Sequence, residues 1–169
     1  MAFDAFLFFE GGDPKIEGES QDKVYGPKKA MEIYSFSWGI ANATTLGSGT
    51  SGAGGGKAQL SSFSFQKKTD AASAKLYLAC AKGVHYPKVT VVLRKAGGNP
   101  LEFITYVLET VFVESVQWGG STGGDDSPQE SVNLVFGKAT INYTKQKSDG
   151  TADGGAISSS WNQLNNTAN

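Results

Sequence analysis

The chain contains one cysteine and one histidine in 169 residues. A single cysteine, Cys80, cannot form an intrachain disulfide, so the fold must be stable without a covalent cross-link. A cysteine nucleophile needs a nearby base, and His85 is the one histidine that could supply it. A lone cysteine is more often a small buried apolar residue, and a lone histidine between a helix and a strand is more often structural. This scarcity argues against an enzyme.

The chain also lacks an excess of charge of either sign. Its 15 basic and 16 acidic residues give a formal net charge of −1. Nucleic-acid binding requires a clustered basic surface that neutralises phosphates, so nucleic acid is not an expected partner.

Long hydrophobic runs are missing as well. The longest apolar stretch near the start, residues 3–9, is interrupted by Asp4 and has no basic flank. It therefore does not resemble a signal peptide, and no segment approaches the length of a membrane span. We expect no membrane insertion, folding in the cytoplasm, and any export without a cleaved signal peptide.

Glycine is abundant, with 22 residues, and the length suits a single domain covering 1–169. Apolar and aromatic alternation predicts a mainly β fold with long connections. A glycine-rich segment at about 46–58 is predicted to be a flexible loop, and about 148–169 a polar C-terminal tail. Strands are predicted at 3–9, 31–45, 62–67, 88–95, 101–117 and 130–145.

The two longest predicted strands change phase partway along. In the last strand the apolar set shifts after Phe136, which predicts a β-bulge near Gly137 and Lys138. A similar shift occurs near Glu109 and Thr110. Bulges and bends in long strands allow a sheet to curl into a barrel.

One helix is predicted, at about 71–82. Asp70 is placed to cap its start, and Gly83 to end it. Ala72, Leu76 and Ala79 recur at helical spacing together with Cys80, which predicts a narrow face of mostly small side chains against a sheet.

The polar residues considered for catalysis or metal binding have simpler explanations. Gly56-Lys57 is followed by Ala58, so the glycine-rich segment lacks the ending of a phosphate-binding loop. Four aspartates could suggest calcium and four glutamates a glycosidase pair, but solvated loops and outward-facing strand charges account for them better. We therefore expect no metal and no cofactor. The residues concerned are Asp125, Asp126, Asp149 and Asp153, and Glu32, Glu102, Glu109 and Glu114.

The three tryptophans leave a binding function open. Trp38 alternates with Tyr34 and Phe36, which favours a place in the core. Trp118 and Trp161 lie at the ends of predicted elements, where a sugar site, an interface or a lid over the core is each compatible. The alternative function is thus a secreted, lectin-like jelly roll that binds carbohydrate.

Several segments, in the same order, resemble the haemolysin-coregulated protein (Hcp) family, the inner-tube subunit of the bacterial type VI secretion system. The combination is more specific than any one segment and extends over roughly residues 3–165. The resembling segments are IYSFSWG at 33–39, FSFQKKTD at 63–70, SAKL at 73–76, Ala79-Cys80, GVHYPKV at 83–89, LRKAGG at 93–98, ESVNL at 130–134 and Trp161-Asn162.

The resemblance implies a curled two-sheet antiparallel β-barrel with one helix packed outside, forming hexameric rings that stack into a tube. It also implies sheath and spike proteins as partners, small effector proteins carried in the lumen, and expulsion of the tube from the cytoplasm. Phe8 and the long glycine-rich loop depart from the family pattern. Few residues follow the last predicted strand, so we expect no fused toxin domain.

The loop is our candidate for ring-to-ring stacking, with a solvated linker as the alternative. The candidate stacking residues are Gly47, Ser48, Gly49, Thr50, Ser51, Gly52, Gly54, Gly55, Gly56 and Lys57.

Overall fold

A computed structural model describes residues 3–44, 55–124 and 126–168. It contains ten strands and one helix in these ranges, which confirms the predicted mainly β fold with a single helix. The elements are β1 (Phe3–Glu10), β2 (Met31–Glu32), β3 (Ser35–Ser37), β4 (Ile40–Asn42), β5 (Ala58–Leu60), β6 (Phe63–Lys68), α1 (Ser73–Lys82), β7 (His85–Lys95), β8 (Glu102–Gly119), β9 (Gln129–Tyr143) and β10 (Ile157–Asn162).

Eight strands form one antiparallel sheet in the order β2-β1-β7-β8-β9-β6-β3, and β10 also pairs with β9. One edge of the long strand β9 is shared, because β6 pairs with its first half and β10 with its second half. β4 and β5 form a separate two-stranded sheet. The predicted polar tail, 148–169, thus contains a strand.

The sheet curls so far that its two end strands, β2 and β3, lie close together. Only two residues of the chain separate these two strands. A single strand over 31–45 was predicted, and this is wrong. The segment has to leave β1 and join β6 at the other end of the sheet, so it breaks into β2, β3 and β4. The break also moves the side chains: Ile33 is buried and Tyr34 is 49% exposed.

The core lies inside this curl and is built from apolar side chains of the strands together with one face of α1. The predicted helical face is confirmed, since Ala72, Leu76 and Ala79 are fully buried and Cys80 packs against them. Other core residues with almost no exposure are Leu7, Phe63, Phe65, Tyr86, Val89, Val91, Leu108, Val111, Val132 and Leu134.

The helix begins at Ser73, two residues later than predicted, and ends before Gly83 as predicted. The prediction that Asp70 caps the helix is wrong, because the N-cap residue is Ala72. The Asp70 carboxylate accepts a hydrogen bond from the backbone N–H of Ala72 at 2.9 Å, ahead of the first turn. Gly83 has φ 64°, a left-handed conformation that glycine adopts without a Cβ penalty.

The predicted bulge near Gly137 and Lys138 is wrong. Pairing between β8 and β9 steps from Glu109–Lys138 to Val111–Phe136 without an extra residue, and the register shifts instead between Val113 and Ser115. Both strands change face at the same point, so neither needs an insertion. The change of face near Thr110 is confirmed, and Thr110 takes φ 55° there.

A second, small core lies on the outside of the sheet. The segment from Pro14 to Ala30 folds over β1 and β7, and Tyr25 packs with Phe6 and Val92 beneath it. The phenol of Tyr86 donates to the carbonyl of Pro14 at 2.6 Å, which anchors the start of the segment. Within the described part of the chain, no helix has the length and apolar character needed to cross a membrane.

Candidate assembly surfaces

The arm formed by β4 and β5 is the base of the predicted stacking loop. The two strands pair from Ile40–Leu60 to Asn42–Ala58. Every residue of β4 is exposed. Isolated two-stranded hairpins are marginally stable in water, so an exposed hairpin of this kind gains stability from whatever it contacts. Of the candidate stacking residues, Gly55, Gly56 and Lys57 lie at this base; those from Gly47 to Gly54 lie outside the described residues.

The arm is attached to the barrel at the junction between β6 and β10. The side-chain amide of Gln163 donates to the carbonyl of Phe136 at 2.7 Å, and its oxygen accepts the N–H of Leu60 at 3.2 Å. At the arm's other end, a Cβ on Gly56 would lie 2.2 Å from the carbonyl oxygen of Ala43. Only glycine permits this approach of the two backbones.

Part of the outer face of β3, β6, β9 and the end of β8 is polar but uncharged, and Lys68 of β6 borders this part. Two rows of directly paired residues cross these four strands. Residues on the opposite side of the same strands, such as Phe65 and Val132, are buried in the core. We call this surface the neutral face: Ser35, Gln66, Ser131 and Gln117 in one row, and Ser37, Ser64, Asn133 and Ser115 in the other.

Hydrogen bonds link the side chains of the neutral face across the strands. Ser64 donates to the side-chain oxygen of Asn133, and the Asn133 amide donates to Ser115 at 2.7 Å. Wet sheet faces usually carry charged side chains. A surface of serine and amide groups without any charge can contact many polar partners while holding none of them by ionic attraction.

Farther along the same sheet, charged residues of alternating sign form a row. Glu10, Lys88, Glu109 and Lys138 are paired in turn across β1, β7, β8 and β9. Ion pairs join Lys88 to Glu10 at 3.0 Å and Lys138 to Glu109 at 3.2 Å. The alternating charges cancel one another locally, so this row produces no strong electrostatic field on the parts of the sheet beside it.

A buried ionic cluster closes the end of the barrel beside the neutral face. Lys67 is 0% exposed, and its ammonium contacts Asp70 at 2.6 Å and Glu130 at 2.9 Å. The indole N–H of Trp118 donates to Glu130 at 2.7 Å. Burial raises the pKa of the Glu130 carboxyl, but hydrogen bonds from Ser73, Lys67 and Trp118 and the charge of Lys67 outweigh burial and lower it.

A second polar cluster fixes the outer segment to the sheet. Arg94 contacts Asp22 at 2.6 Å and Asp4 at 3.1 Å, and its guanidinium lies over the ring of Phe6. The hydrogen bond from Arg94 is the main cause that lowers the pKa of Asp22 to about 2. The phenol of Tyr25 donates to Glu102, and burial together with that carboxylate raises the phenol's pKa.

The structure does not assemble the catalytic groups considered above. The thiol of Cys80 contacts the carbonyl of Glu114 at 3.5 Å, whereas His85 is exposed with its ring 5.7 Å from that of Phe112. The four glutamates have separate partners: Ser20 for Glu32, Tyr25 for Glu102, Lys138 for Glu109 and Ser62 for Glu114.

Three of the candidate calcium ligands are exposed loop residues: Asp126, Asp149 and Asp153. Asp125 lies outside the described residues. Across the ranges that the structure covers, no three histidine, cysteine or acidic side chains come close enough to hold a metal ion.

The three tryptophans differ in their surroundings, as their sequence patterns indicated. Trp38 packs against Phe63, Tyr106 and Phe136, which confirms its place at the core. Trp118 is 45% exposed at the end of β8. Trp161 is half-buried on β10, opposite Ala139.

Two buried charged residues, Lys67 and Glu130, were missed from sequence. The alternation of Phe63, Phe65 and Lys67 places Lys67 on the core side, but a lysine there was not taken as buried. Glu130 shares the phase of Val132 and Leu134 in the same way. A charged residue in phase with core residues on each of two strands was the available signal for their ion pair.

Comparisons with known proteins agree on one family. Residues 6–143 match the family model described as type VI secretion system effector, Hcp. The chain is 38% identical over 164 residues to protein hcp1 of Pseudomonas aeruginosa, covering 96% of each.

Solved structures resemble the chain along its whole length. One, described as a type six secretion system protein, gives a TM-score of 0.90 at 33% identity, covering 99% of this chain and 100% of the other. Hcp1 from Salmonella typhimurium gives a TM-score of 0.77 at 30% identity, covering 100% of both.

Proposed function

Because the chain belongs to the Hcp family of type VI secretion proteins, we propose that it is the repeating subunit of the secretion tube. Six copies form a ring, rings stack through the β4–β5 arm, and the tube leaves the cytoplasm inside a sheath and beneath a spike. Family membership favours this function over the lectin-like alternative and over an enzyme.

The neutral face is the observation that supports a lumen most directly. We infer that it lines the hole of the ring, where a passenger has to be held and later released. Hydrogen-bonding groups without charge give many weak contacts, and they avoid the strong fields that make binding tight and salt-dependent. Small effector proteins are the passengers that the family resemblance implies.

A closed ring needs two different surfaces on each subunit that meet head to tail. The curled sheet supplies a rigid body for such contacts, because its ends are joined within the subunit. The near-zero net charge of −1 allows identical subunits to approach without strong repulsion.

Light scattering of the purified chain tests the ring. We expect a mass near six times 17.8 kDa at neutral pH. A chain that stays monomeric at every concentration would contradict the proposal.

A second experiment tests the lumen. Ser37→Glu places a charge in the neutral face, and Thr140→Glu places one elsewhere on the outer surface of β9. We expect both variants to form rings, and passenger proteins to co-purify with wild type and Thr140→Glu but not with Ser37→Glu. Equal recovery by the two variants would show that the neutral face does not hold the passenger.

A further inference from the structure

Trp118 is a large aromatic side chain that is 45% exposed. It lies at the end of β8 and lines a groove of about 240 Å³ that also contains Gln66, Gln117, Gln129, Glu130 and Ser131. Gln66, Gln117 and Ser131 belong to the neutral face, so the groove continues that face around the end of the sheet.

The indole of Trp118 is held in place from below. Its N–H donates to Glu130 at 2.7 Å, and Glu130 is 1% exposed and paired with Lys67. The ring of Tyr77 lies 6.2 Å away on the helix side. A rigid aromatic ring loses little conformational entropy when a ligand covers it.

The lining selects a neutral ligand. The carboxylate of Glu130 is already buried and ion-paired, and the remaining polar groups are amides and a hydroxyl. A charged ligand would lose hydration here without gaining an opposite charge. Amide and hydroxyl groups both donate and accept, which suits a ligand with several hydroxyl groups around an apolar ring.

We propose that this groove binds a neutral pyranose unit of a polysaccharide. One sugar ring stacks on Trp118 while Gln66 and Gln117 hydrogen-bond its hydroxyl groups. The groove is smaller than the roughly 300–1,000 Å³ of typical small-molecule sites. A single sugar ring and a Kd on the order of 1 mM are therefore expected. Sugar binding does not require ring formation.

Saturation-transfer NMR on the full chain tests the site, with cellohexaose and hexa-N-acetylchitohexaose as neutral probes and hexagalacturonate as a charged probe. We expect saturable transfer to at least one neutral probe and none to the charged one. Trp118→Ala should weaken binding by about tenfold or more, because the stacking surface is lost. Tyr143→Ala, which removes an exposed aromatic ring outside the groove, should leave binding unchanged.

The double variant Gln66→Ala/Gln117→Ala provides a second test that leaves the buried cluster intact. It should weaken binding several-fold even where Trp118→Ala fails to fold. The proposal is wrong if wild type shows no transfer to either neutral probe at about ten times the expected Kd, or if the double variant binds as well as wild type. Stronger transfer to the charged probe would also overturn it.

Discussion

Ile33 and Tyr34 are consecutive in the chain, yet their backbone N–H groups donate to opposite ends of the sheet. Ile33 donates to the carbonyl of Ala5 in β1 at 3.0 Å, and Tyr34 donates to the carbonyl of Gln66 in β6 at 2.9 Å. Consecutive Cα atoms are about 3.8 Å apart, so this step joins the two ends and closes the curl.

Tyr34→Pro should destabilise the protein more than Tyr34→Ala. Both variants remove the half-exposed ring, but only proline removes the N–H that reaches Gln66. We expect the difference in free energy of unfolding to be about 1–3 kcal/mol, measured by urea denaturation. Equal stability of the two variants would show that this hydrogen bond does not hold the closure.

Lys67→Met should lower the free energy of unfolding by about 3–5 kcal/mol, because it leaves the buried carboxylate of Glu130 without its cation. Lys88→Met is the matched control: it breaks an ion pair whose two side chains are 43% and 45% exposed, and it should cost less than about 1 kcal/mol. Thermal and urea unfolding of both variants measure the contrast. Similar losses in the two would mean that the buried pair contributes no more than a surface pair.

The same cluster predicts a pH dependence. The pKa of Glu130 is lower in the folded protein than its ordinary value of 4.5, so its contribution is present above that value and is lost as the pH falls below it. Stability curves of wild type and Glu130→Gln should therefore converge in acid. Parallel curves down to the pH of acid unfolding would contradict this assignment.

Asp22→Asn should lower stability at pH 7 by at most about 2 kcal/mol. The pKa of Asp22 falls from 3.8 to about 2 on folding, chiefly through the hydrogen bond from Arg94. That stabilisation is present above pH 3.8 and is lost as the pH falls toward 2. Asp4→Asn, at a side chain 45% exposed, should have a smaller effect because solvent screens its pair with Arg94. Calorimetric unfolding across this range compares the two, and a larger effect for Asp4 would reverse the ranking.

Gly55→Glu should leave rings intact but stop them from stacking. A Cβ at this position meets nothing closer than the Asn42 side chain at 3.9 Å, so folding should tolerate it, while the new charge repels its copies in a ring-to-ring contact. Gly55→Ala is the control without charge. Light scattering reports rings and electron microscopy reports filaments; filaments of normal length from Gly55→Glu would remove the arm from the stacking contact.

Gly83→Ala should cost about 1 kcal/mol through the backbone alone. Gly83 has φ 64° and an added Cβ would meet no atom within 4 Å, so left-handed strain is the main cost. Gly119→Ala is the comparison, since an added Cβ there also meets nothing and no positive φ is needed. Chemical denaturation should separate the two, and equal stability would rule out strain at the helix end.

Local sequence patterns were sufficient to predict the helix and most of the long strands. Alternation located β1, β6, β7, β8 and β9 to within about three residues at each end, because one face of each strand meets the core. The helix end followed from Gly83. The β2–β4 region was mispredicted because its side-chain phase depends on which strand each residue pairs with, and that changes between Ile33 and Tyr34.

The candidate assembly surfaces were harder to predict from the sequence. Serines, asparagine and glutamines on separate strands have no local signal that places them in two rows; strand order and register do so. The bulge was placed wrongly for a related reason. A phase change in one strand predicts an insertion only if the partner keeps its own phase, and here β9 changes face together with β8.

The amino-acid order by itself determined the strand and helix periods, the helix stop, the absence of a disulfide and the family, since each depends on residues near one another or on their sequence order. Tertiary structure alone decided which strands are neighbours. It thereby joined the sheet ends through Ile33 and Tyr34, paired Lys67 with Glu130 in the interior, and gathered uncharged side chains into one face. These relationships bring together residues far apart in the chain, and the physical reason is that burial and backbone hydrogen bonding are satisfied for the whole fold at once.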